Sequence, residues 1–274
     1  MKLAVNYLQE VQELFEEGKI DFIDYMKLYS INGDLSPFDW CAKHSNVLFH
    51  GFVGNASNVA DAKFWENRDI ELQKEYYKKG KTPYISLHIN TNDAEIRSEE
   101  ETFKTIVENV KKVKETFDME VILENVPARY KDRSKDFLAS PEFITKVINE
   151  LDCGFLFDIG HARQAADVLE IPFDKYVNRL PMNRLVELHM SGVSIAQDSK
   201  VCPLHGKMNE EDYEFLEDAV KKYDTLQIVT LEYGPWADDE ETCGYPVPKY
   251  GVVNEEIKKE VYQQLMRIKE IMNK

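Results

Sequence analysis

Short apolar runs recur along the chain, separated by longer amphipathic segments. The runs LAVNY (3–7), DYMKLYS (24–30), NVLFHGF (46–52), YISLHIN (84–90), EVILENV (120–126), GFLFDIG (154–160), LVELHMS (185–191) and QIVTLEY (227–233) have the length and side chains of buried strands. Between them LQEVQELFEEG, FWENRDIELQKEYYKKG, ETFKTIVENVKKVKETF, PEFITKVINEL and EDYEFLEDAVKKY carry apolar residues at helical spacing, and VNEEIKKEVYQQLMRIKEIM follows the eighth run. Strands alternating with helices predict an α/β fold with a parallel sheet and right-handed crossovers, and eight such units close into a (β/α)8 TIM barrel. With no low-complexity linker and no shift in composition, residues 1–274 are expected to form a single barrel domain. The long acidic connection PWADDEETCGYPVPKYG (235–251) leaves the eighth strand and is expected to cover the barrel mouth as a lid.

Polar residues interrupt the apolar runs at one recurring place. LFHG, SLHI, ILEN, LFDI, ELHM and TLEY each set His, Glu or Asp directly after a hydrophobic residue near the C-terminal end of strands three to eight. In a barrel those ends converge on the face where active sites are built. His50, His88, Glu124, Asp158, His189 and Glu232 should therefore point to a common centre, joined by His161 one turn after Asp158 and by His205 in the loop PLHG. A single strand-end histidine is more often structural, but five of the six histidines fall in these places; the sixth, His44, belongs to the helical segment SPFDWCAKH. Three carboxylates packed together without cations would repel one another and raise each other's pKa values, a cost that metal ions remove. Five imidazoles and three carboxylates exceed what one zinc ion needs, so two or three divalent ions are expected, with iron, manganese, cobalt and zinc all compatible with the donor set.

Composition narrows the partners. A net charge of −16 repels phosphate backbones and anionic membranes, so nucleic-acid binding is disfavoured. No run approaches the roughly 20 apolar residues of a membrane span, and MKLAVNYLQE turns polar too early for a signal peptide, so a cytoplasmic protein is expected. Cys41, Cys153, Cys202 and Cys243 show no CxxC spacing and are expected to be reduced. Neither GxGxxG, GxxxxGK[ST] nor GxSxG occurs, which leaves nucleotide-cradle and serine-hydrolase readings without support. Lys27, Asn90, Asn125 and Arg163 lie beside the proposed ligands and are candidates for orienting substrate, a salt bridge being the ordinary alternative for Arg163.

The stretches LENVP, LFDIGHARQAA, LPMNRLVELHMSG, HGKMNEEDY and TLEYG, with LFHGF and SLHIN before them, resemble the xylose-isomerase-like TIM-barrel superfamily that includes endonuclease IV. Within it they are most similar to the multinuclear non-heme iron-dependent oxidase family, formerly a domain of unknown function. The resemblance implies two or three iron ions and oxygen-dependent modification of a cysteine-containing peptide or small thiol, often with a partner protein that presents the peptide. Relatives commonly carry Asp-x-His after strand seven; here Pro203 stands two residues before His205, with Asp198 nearby, which puts the third metal position in question. Two other function classes fit the same ligands. One is a non-redox metal enzyme, either a sugar isomerase or epimerase or an endonuclease IV-like phosphodiesterase; the other is a non-catalytic metal-binding interaction module.

Overall fold

The computed structural model describes residues 1–28, 37–52, 58–93, 97–130, 133–195, 200–234 and 253–274, the side chains of residues 194, 203 and 204 excepted. Its strands are β1 (Lys2–Asn6), β2 (Tyr25–Leu28), β3 (Asn46–Phe49), β4 (Ile85–His88), β5 (Val121–Glu124), β6 (Gly154–Asp158), β7 (Leu185–Met190), β8 (Gly192–Ile195), β9 (Val201–Gly206) and β10 (Ile228–Leu231). Eight of them form one sheet in the order β3-β2-β1-β10-β7-β6-β5-β4, every neighbour parallel. These eight match the eight apolar runs. The ring is nearly closed between its two end strands. There Ser86 Oγ donates to the Phe49 carbonyl at 2.9 Å, and Asn58 pairs with His88 in a single parallel bridge.

The helices are α1 (Gln9–Glu16), α2 (Phe38–His44), α3 (Ile70–Gly80), α4 (Glu99–Phe117), α5 (Pro141–Leu151), α6 (Ile159–Val168), α7 (Phe173–Val177), α8 (Glu210–Lys222) and α9 (Glu255–Met272). Their boundaries follow local chemistry. Ser98 and Asn209 head α4 and α8 with complete capping boxes, and Ser140 caps α5 just before a proline in its first turn. At the other ends, Lys81, Asp118 and Asp152 adopt left-handed backbone conformations that turn α3, α4 and α5 into the next strand.

The main core lies between strands and helices, where Ile106, Val110 and Val113 of α4 and Ile144, Val147 and Ile148 of α5 are fully buried. A smaller apolar cluster of Ala4, Leu48, Tyr84, Ile122, Leu156 and Ile228 fills the inside of the barrel. Among the described residues no helix is long and apolar enough to cross a membrane.

Two elements depart from expectation. The residues after Asp158 continue as α6 rather than a short turn, because Asp158 itself caps the helix. The expected loop around His205 is strand β9, which pairs antiparallel with β8 in a hairpin outside the barrel sheet. The expected lid, residues 235–251, and Asp198 lie outside the described residues.

Candidate metal centre

The register of the sheet brings the strand-end residues level with one another. His88 stands opposite Glu124 across β4 and β5, and Asp158 stands opposite His189 across β6 and β7. All eight expected ligands meet at this end of the barrel. Glu124 Oε2 lies 3.4 Å from His88 Nε2 and 3.6 Å from His50 Nε2, while its Oε1 lies 3.3 Å from His161 Nδ1 and 3.8 Å from His189 Nδ1. Glu232 lies 3.2 Å from His189 Nδ1, 3.4 Å from His205 Nδ1 and 3.8 Å from His50 Nε2. Asp158 Oδ2 is 3.6 Å from His189 Nδ1.

Each residue has a local reason to be there. Asp158 ends β6 and is also the N-cap of α6: its Oδ1 accepts from the His161 backbone N–H at 2.7 Å, while its Oδ2 turns into the cluster. The same cap sets His161 on the first turn of α6, with Nδ1 3.0 Å from the Asn125 carbonyl. His205 is held in the left-handed region at φ 49°, a conformation uncommon for a non-glycine residue and found where surrounding structure imposes it. The β8–β9 hairpin imposes it here, together with the Gly234 N–H, which donates to the His205 carbonyl at 2.9 Å.

That hairpin depends on a glycine. A Cβ on Gly192 would lie 2.1 Å from the Lys207 carbonyl oxygen, so the two backbones cannot keep their spacing with any side chain there. Gly192→Ala should cost about 1–3 kcal/mol through overpacking and, by displacing His205, reduce bound metal; thermal melts and metal analysis check both. Unchanged metal content would show that His205 does not depend on the hairpin.

Burial and electrostatics fit a cationic occupant. Glu124, Asp158 and Glu232 are at most 1% exposed. Among the described residues, His88 Nδ1, Glu124 Oε1, Asp158 Oδ2, His189 Nδ1, His205 Nδ1 and both Glu232 oxygens are buried without a hydrogen-bond partner. Buried atoms left unpaired in this number are costly, and a metal ion would satisfy them. Among the described residues, three groups of donor atoms are compact enough to hold an ion: His50, Glu124 and His189; Glu124, Asp158 and His161; Asp158, His205 and Glu232. Glu124 and Asp158 each belong to two of them, the placement expected of bridging carboxylates. The group containing His205 is completed by Asp158 and Glu232, with no call on position 203.

Without metal, burial opposes ionisation throughout. Burial and the neighbouring His88 hold the His50 imidazolium down at about 3, whereas Asp158 and Glu124 outweigh burial at His161 and lift it to about 9. Glu124 and Glu232 are buried, yet the surrounding imidazoles hold both well below the usual carboxylate range.

The substrate-orienting candidates fare unequally. Asn90, half-buried, stays at the rim beside His88, with its side-chain oxygen accepting from the Thr91 N–H. Asn125 is fully buried and its amide is committed to the Asp158 backbone, donating to the carbonyl at 3.0 Å and accepting from the N–H at 2.8 Å; it braces Asp158. Arg163 takes its ordinary alternative: its guanidinium pairs with Asp212 at 2.7 Å, tying α6 to α8. Lys27 lies beneath the cluster, fully buried and paired with Glu187 at 3.0 Å. Glu187 was not among the expected residues, although its position two before His189 on one strand puts both side chains on the same face. His44 is in α2, with Nδ1 2.8 Å from the Trp40 carbonyl and away from the site. Cys41 and Cys153 are buried free thiols that burial pushes up to about 12 and about 11, whereas Cys202 is in a disulfide. The expectation of reduced cysteines is met at Cys41 and Cys153 and not at Cys202.

A family model described as RiPP precursor modification enzyme MbnB/TglH/ChrH matches residues 38–234, a span that contains all eight clustered residues. The chain belongs to that family. Members similar to it include a UPF0276 protein of Psychromonas ingrahamii, 22% identical over 162 residues that make up 57% of each chain. A second, from Paraburkholderia phytofirmans, is 26% identical over 99 residues, 36% of this chain and 32% of the relative. The chain thus spans about half or less of the length of the curated relatives it matches.

Solved structures place the family member's fold among xylose isomerase-like TIM barrels. A xylose isomerase domain containing protein from Salmonella typhimurium superposes with TM-score 0.60 at 13% identity, covering 97% of both chains. Endonuclease IV from Thermus thermophilus superposes with TM-score 0.52 at 14% identity, covering 97% of this chain and 99% of that one. The family is described as one of modification enzymes, and the clustered His, Glu and Asp residues could hold metal ions.

Proposed function

We propose that this family member is a multinuclear iron-dependent oxidase that modifies a cysteine-containing region of a precursor peptide. The observation that carries the reading is the set of three overlapping donor groups with shared carboxylates, set in a member of a RiPP precursor modification family. His50, His88, Glu124, Asp158, His161, His189, His205 and Glu232 would hold two or three ions, the one beside His205 least firmly because both of its carboxylates also face other histidines. Bound iron would supply one-electron chemistry with dioxygen, and the soft thiolate of a cysteine suits it as a substrate group.

The chain's own residues account for the rest. Glu124, Asp158, His189 and Glu232 form a dry floor, at most 1% exposed, that excludes water from the cluster's inner side. His50, His88 and His205 keep 13–14% side-chain exposure, so the approach for substrate is on their side. Asn90 at that rim offers an amide to orient a peptide backbone. With a net charge of −16 the surface attracts a basic segment or a basic presenting protein more readily than a nucleic acid.

Anaerobic purification, metal analysis and oxygen uptake test this reading. Iron at two or more per chain, with uptake only when a cysteine-containing peptide is supplied, is the expected result. Zinc- or manganese-supported sugar isomerisation or phosphodiester cleavage without oxygen uptake would replace it with the non-redox reading.

A further inference from the structure

We propose that Glu187 is a positioning residue for the metal centre: it accepts a hydrogen bond from the Nε2–H of His189 and thereby presents the Nδ1 lone pair to the ions. The inference rests on the metal reading above and adds to it a residue outside the ligand set. Glu187 and His189 are two apart on β7, so both face the barrel interior, Glu187 one step deeper. His189 Nε2 lies 3.0 Å from Glu187 Oε1, while Nδ1 faces Glu232 at 3.2 Å and Asp158 at 3.6 Å and has no hydrogen-bond partner. A neutral imidazole carries one N–H and one lone pair, and an ionised carboxylate can only accept. The nitrogen beside Glu187 must therefore be the donor for the one beside the other carboxylates to be a ligand.

The surroundings lock Glu187 into this task. Thr230 Oγ1 donates to Oε1 at 2.6 Å, Tyr84 donates to Oε2 at 2.9 Å, and Lys27 Nζ lies 3.0 Å from Oε1. Lys27 also touches His189 Nε2, and it is the rival: an ammonium donating to an Nε2 lone pair would move the ring proton to Nδ1 and silence the ligand. By pairing with Lys27, Glu187 draws one of the ammonium's three N–H donors and is offset in charge by it, so the orienting carboxylate adds no fourth net negative charge to Glu124, Asp158 and Glu232. A buried Lys–Glu pair is not needed for stability, since apolar residues of similar volume commonly replace such pairs without loss. Its contact with a proposed ligand gives the pair another purpose. Outer partners of metal-bound histidines fix the tautomer and typically contribute 10–100-fold to metal affinity.

The test compares two double variants that both remove the buried charges. Lys27→Met/Glu187→Gln keeps an oxygen acceptor for Nε2–H, whereas Lys27→Met/Glu187→Leu does not. Cobalt(II) is the probe, read by chelator competition and by its visible absorption. The Leu variant should bind one cobalt ion about 10–100-fold more weakly with an altered spectrum, and the Gln variant should stay close to the wild type. Equal binding by the two variants would overturn the role for Glu187. Failure of the wild type to bind cobalt at all would instead remove the metal reading beneath it. Should the Leu variant not fold, nitrogen-15 spectra of the zinc-loaded wild type decide: His189 with its proton on Nε2 supports the assignment, and a proton on Nδ1 overturns it.

Discussion

Glu124→Gln should cost the protein the metal held at two of the three donor groups, leaving only the ion held by Asp158, His205 and Glu232. Glu124 belongs to two of the three compact donor groups and approaches His50, His88, His161 and His189. An amide keeps the shape but offers one neutral oxygen, so it cannot bridge two cations. The contrast is His88→Ala: His88 faces Glu124 but belongs to none of the three groups, so its loss should be the mildest among the ligands. Metal analysis of both variants after purification under identical conditions reads the difference. Equal depletion would mean that the ions are not shared through Glu124. The fold should survive in both variants, because the apolar cluster inside the barrel and the main core lie below and around the site and contain neither residue.

Much of this centre was legible because a parallel strand buried on both faces is a nearly continuous apolar run, against which a terminal His, Glu or Asp stands out. LFDIGH showed its carboxylate and histidine for that reason. The residues that remained hidden lie where sequence carries a different signal or none. Glu187 sits in the same run as His189 and reads as an ordinary polar interruption; only its period-two relation to a ligand could have marked it. Lys27 lies near the end of its strand, which makes it a candidate for orienting substrate, yet its side chain points inward and pairs across the barrel with a residue 160 positions away. No local pattern encodes such a partner. The β8–β9 hairpin stands where a loop is expected around His205, and no local pattern marks that Gly192 is needed for close backbone approach to Lys207 or that Pro203 lies within β9. Arg163, by contrast, found a partner of the kind that sequence reasoning treats as ordinary, a carboxylate at the start of a neighbouring helix.

Removing the metal should lower the melting temperature by about 10 °C at pH 7.5. At free metal about 1,000 times the dissociation constant, binding stabilises by about 4 kcal/mol, and in a chain of this size each kcal/mol moves the midpoint by about 2–4 °C. The pH dependence is the sharper test. In the metal-free protein Asp158 and Glu124 outweigh burial and raise His161 from 6.5 to about 9, and His189 moves in the same direction because Glu232 faces it. Groups raised on folding stabilise fully below their unfolded value and lose that contribution as pH climbs, here from 6.5 toward 9. Burial depresses His50 to about 3, so its contribution is present above 6.5 and is lost as pH falls. The metal-free protein should therefore be most stable near pH 6.5 and weaken on both sides. Coordinated imidazoles no longer take up protons, so in the loaded protein the unfolded state binds more of them and stability rises with pH through 6.5. The gap between loaded and metal-free melting temperatures should thus widen from pH 6 to pH 8. A constant or narrowing gap would show that His161 and His189 are not ligands, since only coordination reverses the sign of their contribution.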